Sequence, residues 1–194
     1  MEIGATKAVQ DRLKTTKIEE SKGASLVFCW DTHLTKIKGR NVLFIVNASN
    51  RYTIAMTDIE PRNWNYYTMY IRSVIHGVMQ EMGYSEDQIG QYFKMSGDTT
   101  VTKTHGRKSV GGINRMVMDA QYFGKKLEKE VKYQWELSEY LNRDICQPEG
   151  FDAYGYPSEL FKLDMERLGI ISKRKPAKII DFTKYIDTNR STNH

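Results

Sequence analysis

Histidine, threonine and basic side chains are concentrated in one stretch of the chain, TKTHGRKSVGGINR, which covers residues 102–115. Histidine titrates near neutral pH, so His105 is the candidate general acid or base. Cationic and hydroxyl side chains bind phosphate oxygens, and the candidates for that role are Lys103, Thr104, Arg107, Lys108 and Arg115. The segment therefore predicts either a phosphate-binding site or a site that cleaves phosphate esters.

A helix is predicted to begin within the same segment. Four apolar residues recur there at three- and four-residue intervals, which places them on one helix face: Val110, Ile113, Val117 and Ala120. The start of a helix carries free N–H groups and the positive end of the helix dipole. Arg107 and Lys108 add positive charge at that position, and a bound phosphate would relieve the repulsion. The alternative is a turn whose charges are simply solvated.

Metal-free cleavage of RNA is the catalytic alternative. His105 would move the proton while the neighbouring cations stabilise the transition state. Such a reaction needs a second proton-transfer group, and the candidates elsewhere in the chain are His33, Asp98 and Tyr154. The histidines lack the spacing of metal ligands, so we expect neither a metal nor a cofactor.

Two tyrosines lie in the loop FDAYGYP, at Tyr154 and Tyr156. A loop interrupted by glycine and proline gives these rings no regular buried face, so they are candidates for stacking on nucleic-acid bases. A loop that contacts another protein would have the same composition.

The charge of the chain favours an anionic partner. The 194 residues carry a formal net charge of +5. Between residues 96 and 126, six lysines and arginines stand against two aspartates, a local net charge of +4. Smaller basic clusters lie in KIKGR, predicted as a hairpin tip, and in SKRK at residues 172–175. The distribution is compatible with RNA or ribonucleoprotein binding.

The chain shows no pattern of a membrane or exported protein. Its apolar runs, such as NVLFIVN, are far too short to cross a bilayer, and the opening MEIGATKAVQ has no apolar signal core. Cys29 and Cys146 are far apart and show no CxxC spacing, so both are interpreted as buried free thiols. We expect a cytoplasmic protein.

Strand patterns dominate the first third of the chain. A short strand in MEIGA precedes a helix over residues 7–14. Three further strands are predicted at residues 25–30 or somewhat beyond, 41–47 and 51–57, separated by turns in KGRN and ASN, which is typical of an antiparallel meander. The run VLFIV is apolar on both faces and indicates a strand covered on both sides.

Helical patterns dominate the remainder. One helix is predicted from Pro61 to Gly83, and a second between Ser85 and Gly97. A strand in TTVTKT leads into the helix of the candidate site. Beyond residue 128 we predict another helix, then a helix over residues 158–168 and a strand over residues 178–182.

The predicted fold class is α+β, with a small antiparallel sheet, helices packed on one face and a C-terminal helical extension. The predicted organisation is a core domain over residues 1–127 and an extension over residues 128–194 that carries the aromatic loop and packs on the core.

Three segments in this order, ATKAVQDRL, NVLFIVNASNRYTIAM and TVTKTHGRKSVGGINR, resemble an uncharacterised bacterial family, a domain of unknown function found in chromosomes and mobile elements. The resemblance covers roughly residues 1–123. It implies that the TKTHGR junction is shared within that family and that the chain has a bacterial or phage-like origin.

These observations lead to three hypotheses of function. The first is a nucleic-acid- or ribonucleoprotein-binding protein of mobile-element type, an inhibitor of a guide-RNA-dependent defence nuclease such as Cas9 (an anti-CRISPR). The second is a metal-independent ribonuclease that uses His105. The third is a protein-binding module whose partner contacts the C-terminal extension.

Overall fold

The computed structural model of this chain describes residues 1–15 and 18–172. Its strands are β1 (Glu2–Ala5), β2 (Cys29–Ile37), β3 (Arg40–Asn47), β4 (Thr53–Thr57) and β5 (Thr100–Thr102). Its helices are α1 (Lys7–Leu13), α2 (Pro61–Asn65), α3 (Tyr67–Glu81), α4 (Glu86–Ser96), α5 (Gly106–Gln121), α6 (Trp135–Asn142) and α7 (Pro157–Arg167). The predicted strand at residues 178–182 and the basic residues 173–175 lie outside the described residues.

The five strands form one mixed sheet in the order β4-β3-β2-β1-β5. The predicted antiparallel meander is confirmed in β2, β3 and β4. β1, however, lies between β2 and β5 and is parallel to both, so the prediction of a wholly antiparallel sheet is wrong. The reason is the connection after β1: α1 and a long loop return the chain to the end of the sheet where β1 began, as parallel pairing requires.

Helices cover both faces of this sheet rather than one. Val42 and Phe44 of β3 pack against α5 and α6, whereas Leu43 and Ile45 belong to the core beneath α3, α4 and α7. All four side chains are fully buried. The interpretation of VLFIV as a strand covered on both sides is confirmed, as is the α+β class; the expectation of a single helical layer is corrected.

The helices of the structure between residues 58 and 97 agree closely with those predicted from the sequence. The long predicted helix is interrupted at Tyr66, which separates α2 from α3. α4 begins with a capping box, in which the Ser85 hydroxyl accepts from the Gln88 N–H and the Gln88 side chain accepts from the Ser85 N–H. It ends at Gly97, as predicted.

Residues after 128 complete the edge of the sheet at β4. Residues 128–134 are irregular rather than helical, and the Lys132 carbonyl accepts from the Thr57 N–H at 2.8 Å. Side chains of α6 bind the same edge: the Ser138 hydroxyl accepts from the Ala55 N–H at 2.9 Å. The Asn142 amide both accepts from the Thr53 N–H and donates to the Thr53 carbonyl, each at 2.8 Å. Backbone groups of an edge strand, which would otherwise be unpaired, are thereby satisfied.

α7 inserts an aromatic side chain into the core on the other face. The Phe161 ring is 1% exposed and lies 5.3 Å from the Tyr52 ring and 6.1 Å from the Trp30 ring, measured between centroids. The segment after residue 128 therefore supplies buried residues to both layers of the core.

Replacement of Asn142 with alanine should destabilise the protein, because it leaves the buried N–H and C=O groups of Thr53 without partners. Each such group costs about 1–3 kcal/mol, so we expect the free energy of unfolding to fall by about 2–4 kcal/mol in urea denaturation. Arg143→Ala is the matched control on the next residue. Within the described residues Arg143 pairs with Glu139 at the surface, so its replacement should change stability by less than about 0.5 kcal/mol. Equal losses in the two variants would contradict this account.

Candidate functional site

A buried polar cluster lies on the face of the sheet beneath the start of α5. In the parallel pair of β1 and β2, Glu2 is opposite Cys29 and Gly4 is opposite Asp31. Residues opposite one another project to the same face of a sheet, so Glu2, Cys29 and Asp31 lie together. His105, the residue before α5, completes the cluster.

His105 is held between two carboxylates. Its Nδ1 lies 2.7 Å from Oδ1 of Asp31, and its Nε2 lies 3.0 Å from Oε2 of Glu2. The three side chains are 0–6% exposed. Ionised carboxylates only accept hydrogen bonds, so both ring nitrogens donate and the ring is an imidazolium.

The two carboxylates are fixed by further donors. Asp31 accepts from the His105 N–H at 3.2 Å and from the Ser109 hydroxyl. Glu2 accepts from the Ser21 hydroxyl at 2.6 Å and from the Lys22 N–H at 2.8 Å. The cluster thus joins β1, β2, the loop before β2 and the first turn of α5.

Gly4 provides the space for this arrangement. A Cβ atom at residue 4 would lie 1.9 Å from Oδ1 of Asp31 and 3.0 Å from Cα of Thr104. Any side chain there would displace the Asp31 carboxylate or the strand end that leads into α5.

The surroundings shift the pKa values of the charged groups. Burial by itself lowers the pKa of His105, but the interactions of its ring with Asp31 and, next, with Cys29 outweigh it and raise this pKa from 6.5 to about 10. Burial by itself raises the pKa of Glu2, but hydrogen bonds from Ser21, Lys22 and His105 lower it below its ordinary value of 4.5.

The anion at the start of α5 is a carboxylate of the protein itself. The sequence suggests that a bound phosphate would relieve the positive charge at this helix start, and that suggestion stays a prediction. The Asp31 carboxylate accepts from the His105 N–H and the Ser109 hydroxyl at the same position. A phosphate contact by this segment therefore has to involve the outward side chains.

The predicted phosphate ligands do not surround His105. Lys103 pairs with Glu20 at the surface, and Thr104 is half-buried. Lys108 donates to the Pro148 carbonyl at 3.2 Å and lies 3.9 Å from Glu149. Arg107 and Arg115 are exposed on α5. His105 therefore points into the protein, and the cations point away from it.

Arg107 and Arg115 belong to an exposed stripe along α5, which we call the α5 stripe. Its members recur at three-, four- and seven-residue intervals and share one helix face: Arg107, Gly111, Asn114, Arg115, Met118 and Tyr122, the last being the residue that ends the helix. Met118 is 63% exposed and Tyr122 is 80% exposed. Asp119, half-buried beside the stripe, is the only acidic residue of α5.

Two adjacent glycines in α5 have different surroundings. A Cβ at Gly112 would lie 3.3 Å from Nε of Arg51, whose guanidinium donates to the Gly112 carbonyl. A Cβ at Gly111 would meet nothing within 4 Å. Packing within the described residues thus accounts for Gly112 but not for Gly111.

The two predicted stacking tyrosines lie at the surface. Tyr154 is 72% exposed and Tyr156 is 41% exposed. Their loop lies beside the first turn of α5, because Gly155 pairs with Cys146 and Lys108 reaches Pro148 of the same loop.

The partners suggested for His105 are not those that the structure places beside it. His33 lies 3.1 Å from the Thr6 hydroxyl, and the Asp98 carbonyl accepts from the terminal amino group. Glu2 and Asp31 were not identified from the sequence. Each is the one acidic residue in a short strand pattern, MEIGA for Glu2 and CWDTH for Asp31, and neither pattern contains a lysine or arginine. An acidic residue in a buried strand requires a partner, and that rule could have identified them.

Comparisons with known proteins identify one family. The model of a domain of unknown function (DUF6933) matches residues 2–160, which extends past the 123 residues of the resemblance noted above. No curated protein and no solved structure matches the chain. Within residues 1–15 and 18–172, every helix is too short or too polar to cross a bilayer.

The raised pKa of His105 predicts a pH-dependent stability. The stabilisation by the imidazolium is complete below about pH 6.5 and is lost progressively as the pH rises to about 10. We expect His105→Gln to lower the free energy of unfolding by about 3–5 kcal/mol at pH 6, because it leaves buried carboxylates without their cation. The difference between the two proteins should narrow steadily up to pH 10, measured by urea denaturation with EDTA present. A difference that stays constant over this range would refute the charged state of His105.

Proposed function

This chain belongs to the DUF6933 family, and we propose that it is a nucleic-acid-binding protein whose α5 stripe contacts the phosphate backbone of RNA. The observation that carries the proposal is the α5 stripe itself, in which two arginines and an exposed tyrosine share one face with no carboxylate among them. Surfaces that bind phosphate backbones combine cations with aromatic side chains in this way.

Within the described residues, the two arginines of the stripe differ in ion pairing from the lysines near them. Lys103, Lys108 and Lys125 are each within reach of a carboxylate of the chain. Among the ion pairs of the described residues, none includes Arg107 or Arg115. The two arginines are eight residues apart, about 12 Å along a helix, so they can contact separate phosphates.

Gly111 supports a close approach of the partner. An exposed glycine inside a helix costs about 1 kcal/mol relative to alanine. The described residues offer no packing reason for it, whereas the backbone of a bound nucleic acid passing over residue 111 would require the absence of a side chain.

Aromatic side chains lie at both ends of this surface. Tyr122 ends the stripe, and the loop that carries Tyr154 lies beside the first turn of α5. Stacking of a base on an exposed ring contributes about 1–3 kcal/mol. The geometry favours binding over cleavage, because His105 is buried with both ring nitrogens engaged.

A narrower form of the proposal comes from the resemblance to mobile-element proteins. In this form the RNA is held by a guide-RNA-dependent defence nuclease of Cas9 type, and the chain inhibits that nuclease. The binding assay therefore uses both free structured RNA and a guide RNA in complex with its nuclease.

Arg107→Ala and Arg115→Ala should each weaken RNA binding. Loss of one phosphate contact reduces the number of counterions released, so the slope of log Kobs against log salt should fall in magnitude by about 1 for each arginine. The measurement is a gel shift with labelled structured RNA in EDTA at several salt concentrations, with RNA length read on the same samples. Lys94→Ala is the matched control, because Lys94 is exposed on α4, which packs on the opposite face of the sheet. Equal behaviour of all three variants would contradict the assignment.

Gly111→Ala should separate stability from binding. Alanine is the better helix former, so the thermal unfolding midpoint should rise, by an amount equivalent to about 1 kcal/mol. RNA affinity should fall, because the new methyl group blocks the close approach. Gly112→Ala serves as the comparison: it has the same gain in helix propensity, but its Cβ would lie 3.3 Å from Nε of Arg51, so its midpoint should rise less than that of Gly111→Ala. If Gly111→Ala binds RNA as well as the unaltered chain, the partner does not pass over this residue.

A further inference from the structure

Three donor atoms of different chemistry converge in the buried cluster. Glu2, Cys29 and His105 each offer one ligand atom, and these atoms lie within 4.8 Å of one another. All three residues are buried. Cys29 is a free thiol whose Sγ lies 3.5 Å from the Ser25 carbonyl oxygen and 3.7 Å from the Ala24 carbonyl oxygen.

We propose that Glu2, Cys29 and His105 bind a zinc ion through Oε2, Sγ and Nε2, with Asp31 orienting the histidine ring from outside the coordination sphere. This site is separate from the α5 stripe, and the inference does not depend on RNA binding.

The donor set suits zinc. Zinc is a borderline-soft cation that takes thiolate, imidazole and carboxylate ligands, at about 2.3 Å from sulfur and about 2.0–2.2 Å from nitrogen or oxygen. Tetrahedral geometry at these lengths separates the ligand atoms by about 3.3–3.8 Å. His105 Nε2 and Glu2 Oε2 are 3.0 Å apart, so they need to separate by less than about 1 Å. Cys29 Sγ lies within 4.8 Å of its partner ligand atoms, so it needs to approach them by at most about 1.5 Å.

Asp31 has the position of the outer partner found in zinc sites. A zinc-bound histidine usually donates its other ring N–H to a carboxylate, which fixes the tautomer and the ring orientation. His105 Nδ1 is 2.7 Å from Asp31 Oδ1, and Ser109 and the His105 N–H hold that carboxylate in place. The remaining nitrogen, Nε2, is the one that faces Glu2.

Glu2 keeps its other hydrogen bonds when it binds the ion. A carboxylate offers about four acceptor positions, and the Ser21 hydroxyl and the Lys22 N–H occupy two of them. Three protein ligands leave one tetrahedral position to a water molecule.

The charge balance allows the ion to enter without changing the net charge of the cluster. When Cys29 is counted as a neutral thiol, the zinc-free cluster of one imidazolium and two carboxylates has a net charge of −1. Zinc displaces the Nε2 proton of His105 and the thiol proton of Cys29, since metal ligands must be deprotonated. The ion, one thiolate and two carboxylates again sum to −1, and two protons leave for each zinc bound. The imidazolium and the zinc ion are therefore interchangeable partners of the same carboxylates.

The test is a titration of the full chain, kept reduced, first with Co²⁺ and then with Zn²⁺. We expect one equivalent of Co²⁺ to give a thiolate-to-cobalt charge-transfer band and the visible bands of tetrahedral cobalt. One equivalent of Zn²⁺ should abolish these bands. Addition of Zn²⁺ to the metal-free chain in unbuffered solution should release two protons per ion.

The ligand is assigned with the two cysteines of the chain. Cys146→Ser is the matched control, because Cys146 is also a buried free thiol but lies outside the cluster. Its spectrum should be unchanged, which by itself assigns the thiolate to Cys29 even if Cys29→Ser does not fold. In folded Cys29→Ser the charge-transfer band should be lost. Absence of the band in the unaltered chain, its loss in folded Cys146→Ser or its persistence in Cys29→Ser would overturn the proposal.

Discussion

The buried imidazolium of His105, held between the carboxylates of Asp31 and Glu2, is the interaction on which the rest of the structure depends. It joins the first strand, its parallel neighbour and the start of α5, which are far apart in the chain. A buried ion cluster adds little stability relative to apolar side chains of the same volume, but removal of one member leaves a charge buried at a cost of about 3–5 kcal/mol. The main effect of the cluster is therefore to position α5. The helix begins over the sheet at the place where His105 meets both carboxylates.

The inward position of His105 also determines what α5 presents to solvent. His105 precedes the helix, with its ring turned towards the sheet, and Arg107 lies in the first turn on the outward side. His105 and Arg107 are close in the sequence TKTHGR, which suggests a single catalytic site. In the structure they belong to two separate sites. His105 is part of a buried cluster suited to a cation, and Arg107 is part of an exposed stripe suited to an anion.

Patterns local in the sequence were predictable, and pairings between distant residues were not. The capping box at Ser85, the end of α4 at Gly97 and the meander of β2, β3 and β4 follow from spacing and turn residues. The parallel insertion of β1 depends on a crossover that has no local pattern. His105 was identified as a candidate because of its type, but Asp31 and Glu2 are 74 and 103 residues away from it. The parallel pairing of β1 with both β2 and β5 brings the three residues together.

Because α6 occupies the hydrogen-bonding edge of β4, an extended peptide cannot add to the sheet there as a sixth strand. At the opposite edge, Glu19 pairs with Thr102, and the Glu19 carbonyl accepts from the Lys103 N–H at 2.9 Å. Part of the free edge of β5 is therefore occupied as well. The sheet is thereby guarded against edge-to-edge aggregation. A partner therefore cannot bind by adding a strand at β4 and has limited room to do so at β5. The side chains on the helices and loops remain as the principal surface for recognition.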